Sequence, residues 1–307
     1  MSKKQKNETY SHMSQLEHVY KIPDTYIGSI EPTNEDIYIY EDDKIVFKNI
    51  IYIQGFYKIF DELLVNALDQ YTRTMEAKNN KIPKTIVTDR IEIDINKDTG
   101  YISILNTGDG FVIEKTKIDD KKLYSVEMVC GVLLTSGSYE EQKKIIGSRS
   151  GFGIKLTNIF SKEFTVETVD KKSHTKYIQT WTNNMNDKSE PIIEKQCKEA
   201  PYTKITFLPD YQRFSMNGLN NDIISLLVKR VYDACLWTCN NGMTIFNEDI
   251  GKKPKKYPID IYLNNDKLEC NLENYINIYN TIEHPIDKKQ IFIHIFHRWE
   301  VAIIQSP

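Results

Sequence analysis

The sequence predicts an α+β fold. Three observations carry that prediction: a helix-like run from about Phe56 to Ala77, strand segments with period-2 apolar spacing on both sides of it, and glycine-rich stretches where one strand ends and one helix begins. The 307 residues, 40% of them hydrophobic, suffice for one large core or two modest ones. A net charge of −3 does not announce a nucleic-acid partner, so local patches must carry any such claim. Five cysteines, Cys130, Cys197, Cys235, Cys239 and Cys270, are odd in number and irregularly spaced, which points to a reducing compartment rather than a disulfide framework. Cys235 and Cys239 could share a helix face, but structural zinc needs four ligands and no second close pair appears. His294 and His297 fall on opposite faces of a strand-like segment, which argues against a metal site there.

The elements follow in order. Ser14 to Tyr20 reads as a short helix that Pro23 ends, within an N-terminal arm spanning residues 1–28. Ile37 to Ile53 alternates around Glu41-Asp42-Asp43 and suggests a hairpin, after which Gly55 opens the long helix. Strands are expected at Ile91–Ile95 and Tyr101–Leu105, joined by a turn at Lys97-Asp98-Thr99-Gly100. Tyr124 to Leu134 reads as a helix, and another should run from the glycine-rich loop to about Phe160. Strands near Phe164–Val169, Lys176–Trp181 and Thr203–Phe207 precede the helical Asn220 to Cys239. Ile259 to Leu263 is strand-like, and Gln290 to Ile304 reads as strands of a second domain cut short at Pro307. The charged start lacks an apolar core behind it and no apolar run reaches membrane-spanning length, so an intracellular protein with no membrane partner is expected.

Chemistry concentrates in three places. On the long helix, Glu62 and Asn66 lie four residues apart in apolar surroundings and so share a face, with Asp69 a further turn along. A buried carboxylate needs a partner, which a metal-bound nucleotide would supply; alone, the pair would read as a salt-bridged core helix. Asn106-Thr107-Gly108-Asp109-Gly110 puts a polar side chain at a strand end and two residues without Cβ beside it, a pattern that alone would be a tight turn. Gly147, Gly151 and Gly153 lead into a helix whose first turn holds Lys155, and unpaired N–H groups at a helix start attract phosphate. The spacing fits neither a Walker A loop nor a dinucleotide-binding fingerprint.

These three elements, in this order, resemble the GHKL (Bergerat-fold) ATPases. Pro23-Asp24-Thr25-Tyr26-Ile27-Gly28, Lys58-Ile59-Phe60-Asp61-Glu62, Leu134-Thr135-Ser136, Asn158-Ile159-Phe160-Ser161, Arg230-Val231-Tyr232-Asp233 and Arg298-Trp299-Glu300-Val301-Ala302 narrow the resemblance to the ATPase region of eukaryotic-type (type IIA) DNA topoisomerase II, across nearly the whole chain. The resemblance implies a two-layer sandwich of mixed β-sheet and helices, with the arm at 1–28, the ATPase domain at 29–270 and the truncated start of a transducer domain at 271–307. It implies ATP and Mg2+ as cofactors. Glu62 matches the general base, Asn66 the Mg2+ ligand, and Asn106, with Gly108 and Gly110 beside it, the contact next to the adenine pocket. Ser136, Gly137 and Ser138 match a ribose and phosphate loop, and Ser148, Arg149, Ser150, Gly151, Phe152, Gly153, Ile154 and Lys155 a phosphate lid. Thr203 matches a pocket-floor threonine, and Tyr10 an arm residue that reaches the partner subunit's nucleotide.

Some residues depart from the family pattern. Ser148 stands in place of Gly, Ser150 in place of Asn, Gly137-Ser138 in place of Ser-Asn, Gln70 in place of Asn and Thr107 in place of an acidic residue. No segment matches the family's transducer lysine or its DNA-cleavage core, so this piece is expected to bind ATP better than it hydrolyses it. The partners implied are a second copy of the chain on ATP binding, double-stranded DNA and the rest of the topoisomerase, in the nucleus or at a viral replication site. A chaperone or mismatch-repair ATPase shares the pocket but not the segments at 26–28 and 298–302. A nucleotide-independent DNA-binding or dimerisation module would rest on Lys252-Lys253-Pro254-Lys255-Lys256, although such a run is more often a solvated loop.

Overall fold

The structure, a computed structural model, describes residues 13–118, 121–133, 152–239, 257–269, 271–279, 291–295 and 300–304. Ser14 starts helix α1 (Gln15–Lys21) with a capping box: its hydroxyl accepts from the Glu17 amide, and the Glu17 carboxylate accepts from the Ser14 amide. Pro23 ends that helix in a single 3-10 turn. Strands β1 (Thr33–Glu41) and β2 (Lys44–Tyr52) pair across a two-residue turn at Asp42 and Asp43, with φ of 48° and 60°. Positive φ at both central residues gives the mirrored turn whose twist matches the paired strands.

Helix α2 (Gln54–Asn79) follows, longer by about half a turn at each end than its apolar spacing suggests. It buries Phe56, Ile59, Phe60, Leu63, Leu64, Ala67 and Leu68. Next come β3 (Arg90–Ile95), β4 (Ile102–Thr107), the short hairpin of β5 (Lys115–Ile118) and β6 (Lys121–Tyr124), then α3 (Ser125–Gly131) and α4 (Gly153–Ile159). The chain continues with β7 (Ser161–Val169), β8 (Lys176–Thr182), β9 (Asp187–Lys188), β10 (Ile192–Glu194), β11 (Tyr202–Pro209) and α5 (Asn221–Cys239). It closes with β12 (Asp260–Leu263), β13 (Asp266–Lys267), α6 (Leu272–Asn277), β14 (Ile291–Ile295) and β15 (Glu300–Ile304).

Among the described residues the main sheet has the order β10-β8-β7-β11-β4-β3-β12-β13, with β9 added to β8. All neighbours are antiparallel except β12, which joins β3 parallel, so the sheet is mixed. Ile91, Ile93, Ile102, Ile104, Phe164, Val166, Ile205 and Phe207 point from one face into the core, where α2, α4 and α5 meet them. The other face carries Glu92, Thr165, Thr180 and Lys204. This is the expected two-layer α+β arrangement. β14 and β15 form a separate ribbon, and no helix among the described residues is long and apolar enough to cross a membrane.

Candidate active site

Glu62 and Asn66 sit on α2 where it packs against α4, whose Thr157 hydroxyl donates to the Ile59 carbonyl at 2.8 Å and ties the two helices together. The Glu62 side chain is 18% exposed, and its Oε1 takes an ion pair from Lys58 Nζ at 2.6 Å. Its Oε2 lies against Gly153: a Cβ built there would come within 2.1 Å of that oxygen. Only a residue without a side chain lets α4 begin on top of the carboxylate. Asn66, one turn on, is half-buried, and its amide has no hydrogen-bond partner among the described residues. Asp61, beside Glu62, is held by Arg230 Nε of α5 at 2.7 Å, which fixes this stretch of α2 from its other side.

Every residue of α4 is buried, including Lys155 at 1% exposure and Asn158, whose Oδ1 has no hydrogen-bond partner among the described residues. Burial holds the Lys155 ammonium down at about 8, and it pushes the neighbouring Cys130 thiol up to about 12. The pair is therefore a neutral thiol beside a lysine that gives up its proton readily. Phe152, the residue before α4, packs its ring 5.9 Å from that of Tyr26. Because the Ile154 and Lys155 side chains are inside, what α4 presents at its first turn is mainly backbone N–H.

At the sheet end, register places Thr203 of β11 opposite Asn106 of β4 and Thr168 of β7 opposite Thr203, a polar row on the helix-facing side. Asn106 is 9% exposed and donates to the Thr107 carbonyl, while the Thr168 and Thr203 hydroxyls lie 3.1 Å apart. Thr168 also accepts from the Phe111 amide at 3.0 Å and donates to the Tyr202 carbonyl, so it pins the loop after β4. That loop turns on Gly108 and Gly110, with φ of 122° and 69°. What a Cβ would strike there is the protein itself: Thr88 Oγ1 at 2.7 Å for Gly108 and the Val169 carbonyl at 2.0 Å for Gly110. Thr107 turns away, its hydroxyl donating to the Asp89 carboxylate at 2.7 Å. The fold thus gathers Glu62, Asn66, Gly153 and Lys155 around the α2–α4 contact, and α2 also packs on β4, the strand of Asn106. Thr168 and Lys58 belong to this constellation, and neither was assigned a role from sequence, although Lys58 carried a usable signal as a charge one turn before Glu62.

No protein-family model matches the chain. It is 38% identical over 308 residues to DNA topoisomerase 2 of Candida albicans, and 37% over 307 residues to DNA topoisomerase 2 of Acanthamoeba polyphaga mimivirus. Each match takes in 98% of this chain but 20% and 22% of the relative. The crystal structure of the ATPase region of Saccharomyces cerevisiae topoisomerase II superposes with a TM-score of 0.77 at 38% identity, covering 95% of this chain and 70% of that one. The chain belongs to the DNA topoisomerase II family.

It spans about a fifth of the length of the curated topoisomerases it matches, in the part that corresponds to the yeast ATPase region. The 43K ATPase domain of Thermus thermophilus gyrase B, at 16% identity and a TM-score of 0.50, shares the fold. Of the site residues that the topoisomerase II pattern implies, Tyr10, Ser136, Gly137, Ser138, Ser148, Arg149, Ser150 and Gly151 lie outside the described residues.

Proposed function

We propose that the chain is the nucleotide-operated gate of a type II DNA topoisomerase: it binds Mg-ATP, hydrolyses it, and closes as a dimer to capture a double-stranded DNA segment for strand passage. The observation that carries this reading is the contact of Gly153 with the Glu62 carboxylate, because it joins the first residue of α4 to a carboxylate suited to act as a base. In the proposed reaction a water attacks the γ-phosphorus in line, Glu62 accepts its proton, and ADP leaves. General-base assistance of this kind contributes about 10²–10⁴-fold.

Asn66 supplies the side chain for the metal. Mg2+ keeps several waters and takes one or two protein oxygens besides phosphate, so few ligands are needed from the described residues. The Asn66 amide, without a partner among those residues, fits that donor set. Bound Mg2+ would offset charge building on the transferring phosphate. The α4 N–H groups meet the phosphates, with the buried Lys155 ammonium behind them, and Asn106, Thr203 and Thr168 floor the base pocket. Residues 1–28, with Tyr10, serve as the arm exchanged between subunits, residues 29–270 form the ATPase domain, and 271–307 start the transducer. The separation of the β14–β15 ribbon from the main sheet supports the last boundary. A nuclear or viral replication setting follows from DNA as partner.

Equilibrium binding of a non-hydrolysable ATP analogue, with and without magnesium, tests the reading. Magnesium should tighten binding to the wild-type chain, and Asn66→Ala should remove about tenfold or more of that gain. An Asn66→Ala protein with an intact magnesium response would sink the metal assignment.

A further inference from the structure

We propose that Lys58 is a positioning residue for Glu62: its ammonium pins one carboxylate oxygen so that the other is the one left to take the proton of the attacking water. The inference rests on Glu62 acting as the base. Lys58 Nζ holds Oε1 at 2.6 Å, while Oε2 is turned to Gly153 at the start of α4. The carboxylate is thus bracketed, with one oxygen engaged and the other aimed at the helix start where phosphate would be met.

Helix stability does not account for the pair. Lysine four residues before glutamate is the weaker orientation of an i,i+4 pair, and an ion pair whose lysine side chain is 42% exposed contributes little to folding. Glutamate has three side-chain torsions, and on a half-buried helix face nothing else among the described hydrogen bonds and ion pairs restrains them. A base must stay within hydrogen-bond reach of the water it deprotonates, and a displacement of about 1 Å can cost on the order of a hundredfold in rate. An ammonium one turn away supplies that restraint without occupying the oxygen that reacts. Lys58 therefore acts through Glu62 rather than on the nucleotide.

The test compares Lys58→Met, Lys58→Arg, Glu62→Gln and the double variant Lys58→Met/Glu62→Gln. It measures single-turnover ATP hydrolysis, the dissociation constant of a non-hydrolysable analogue, and the thermal midpoint. Lys58→Met should slow hydrolysis by about 10- to 100-fold while leaving analogue affinity and thermal midpoint at wild-type values, and Lys58→Arg should restore most of the rate. In the Glu62→Gln background, Lys58→Met should change nothing further, since the partner it positions is gone. The proposal is overturned if Lys58→Met hydrolyses at the wild-type rate, if it weakens analogue binding as much as it slows turnover, or if its effect persists undiminished on Glu62→Gln. A Glu62→Gln protein that hydrolyses like wild type would instead overturn the base assignment, an outcome that none of the Lys58 results can mimic.

Discussion

Lys155 is the third residue of a seven-residue helix that has no exposed side, so its ammonium is largely stripped of water. Desolvation holds its ammonium at about 8, against an ordinary 10.5. Between those values the unfolded chain keeps a proton that the folded chain has released, so stability rises with pH across the window. Below about pH 8 the cost of the buried charge is present in full. The stability of the nucleotide-free wild-type chain relative to Lys155→Met should therefore rise as pH climbs from 8 toward 10, by about 1–3 kcal/mol. Thermal unfolding of both proteins at pH 7 and pH 9.5 checks this, and an equal difference at the two pH values would refute it. The same residue scale shows what a sequence can conceal. Glu62, Asn66 and the glycines stood out by spacing, but what Gly153 makes room for was invisible, because Glu62 is 91 positions earlier. Thr168 looked like one of several threonines in a strand until register set it beside Thr203.

Elements whose signal is local were legible. The 3.6-residue period marks α2 and α5, period-2 spacing marks β3 and β4, short apolar runs mark β7, β8 and β11, and Asp42-Asp43 marks the first hairpin. The hairpin of β5 and β6 was not seen, since lysines in Lys115-Thr116-Lys117-Ile118 and Lys121-Lys122-Leu123-Tyr124 mask any apolar alternation. The parallel partnership of β12 with β3 leaves no local mark either, because the strands lie far apart in sequence. Helix α1 is a third case: within the segment read as an arm, Val19 and Ile27 are core residues. Asp210, 2% exposed, helps fasten it, accepting from Lys162 Nζ at 2.9 Å, Asn184 Nδ2 at 3.1 Å and the Tyr20 hydroxyl at 3.4 Å. Arg213 completes the latch by donating to the Tyr20 carbonyl at 2.9 Å. Asp210→Ala should lower stability by about 2 kcal/mol in urea unfolding and speed tryptic cleavage after Lys21. An unchanged unfolding midpoint would show that the latch is ornamental.

At the scale of the whole molecule, the proposal is that nucleotide brings two copies together through their first residues. Since Val19 and Ile27 belong to the core, the discriminating deletion is residues 1–12, which leaves α1 and its Ser14 cap in place. A non-hydrolysable ATP analogue should double the mass of the wild-type chain in sedimentation and leave the deleted chain monomeric but nucleotide-bound. Equal dimerisation of the two would rule out arm exchange. Beneath that claim lies a simpler one, that Glu62 is the group that activates water in a site built around the contact of α2 with α4. Its most direct measurement sets single-turnover ATP hydrolysis beside analogue affinity in Glu62→Gln. Hydrolysis should slow by about 10²-fold or more while affinity stays within about threefold of wild type. Hydrolysis that continues unimpaired, or binding that collapses as completely as turnover, would contradict it.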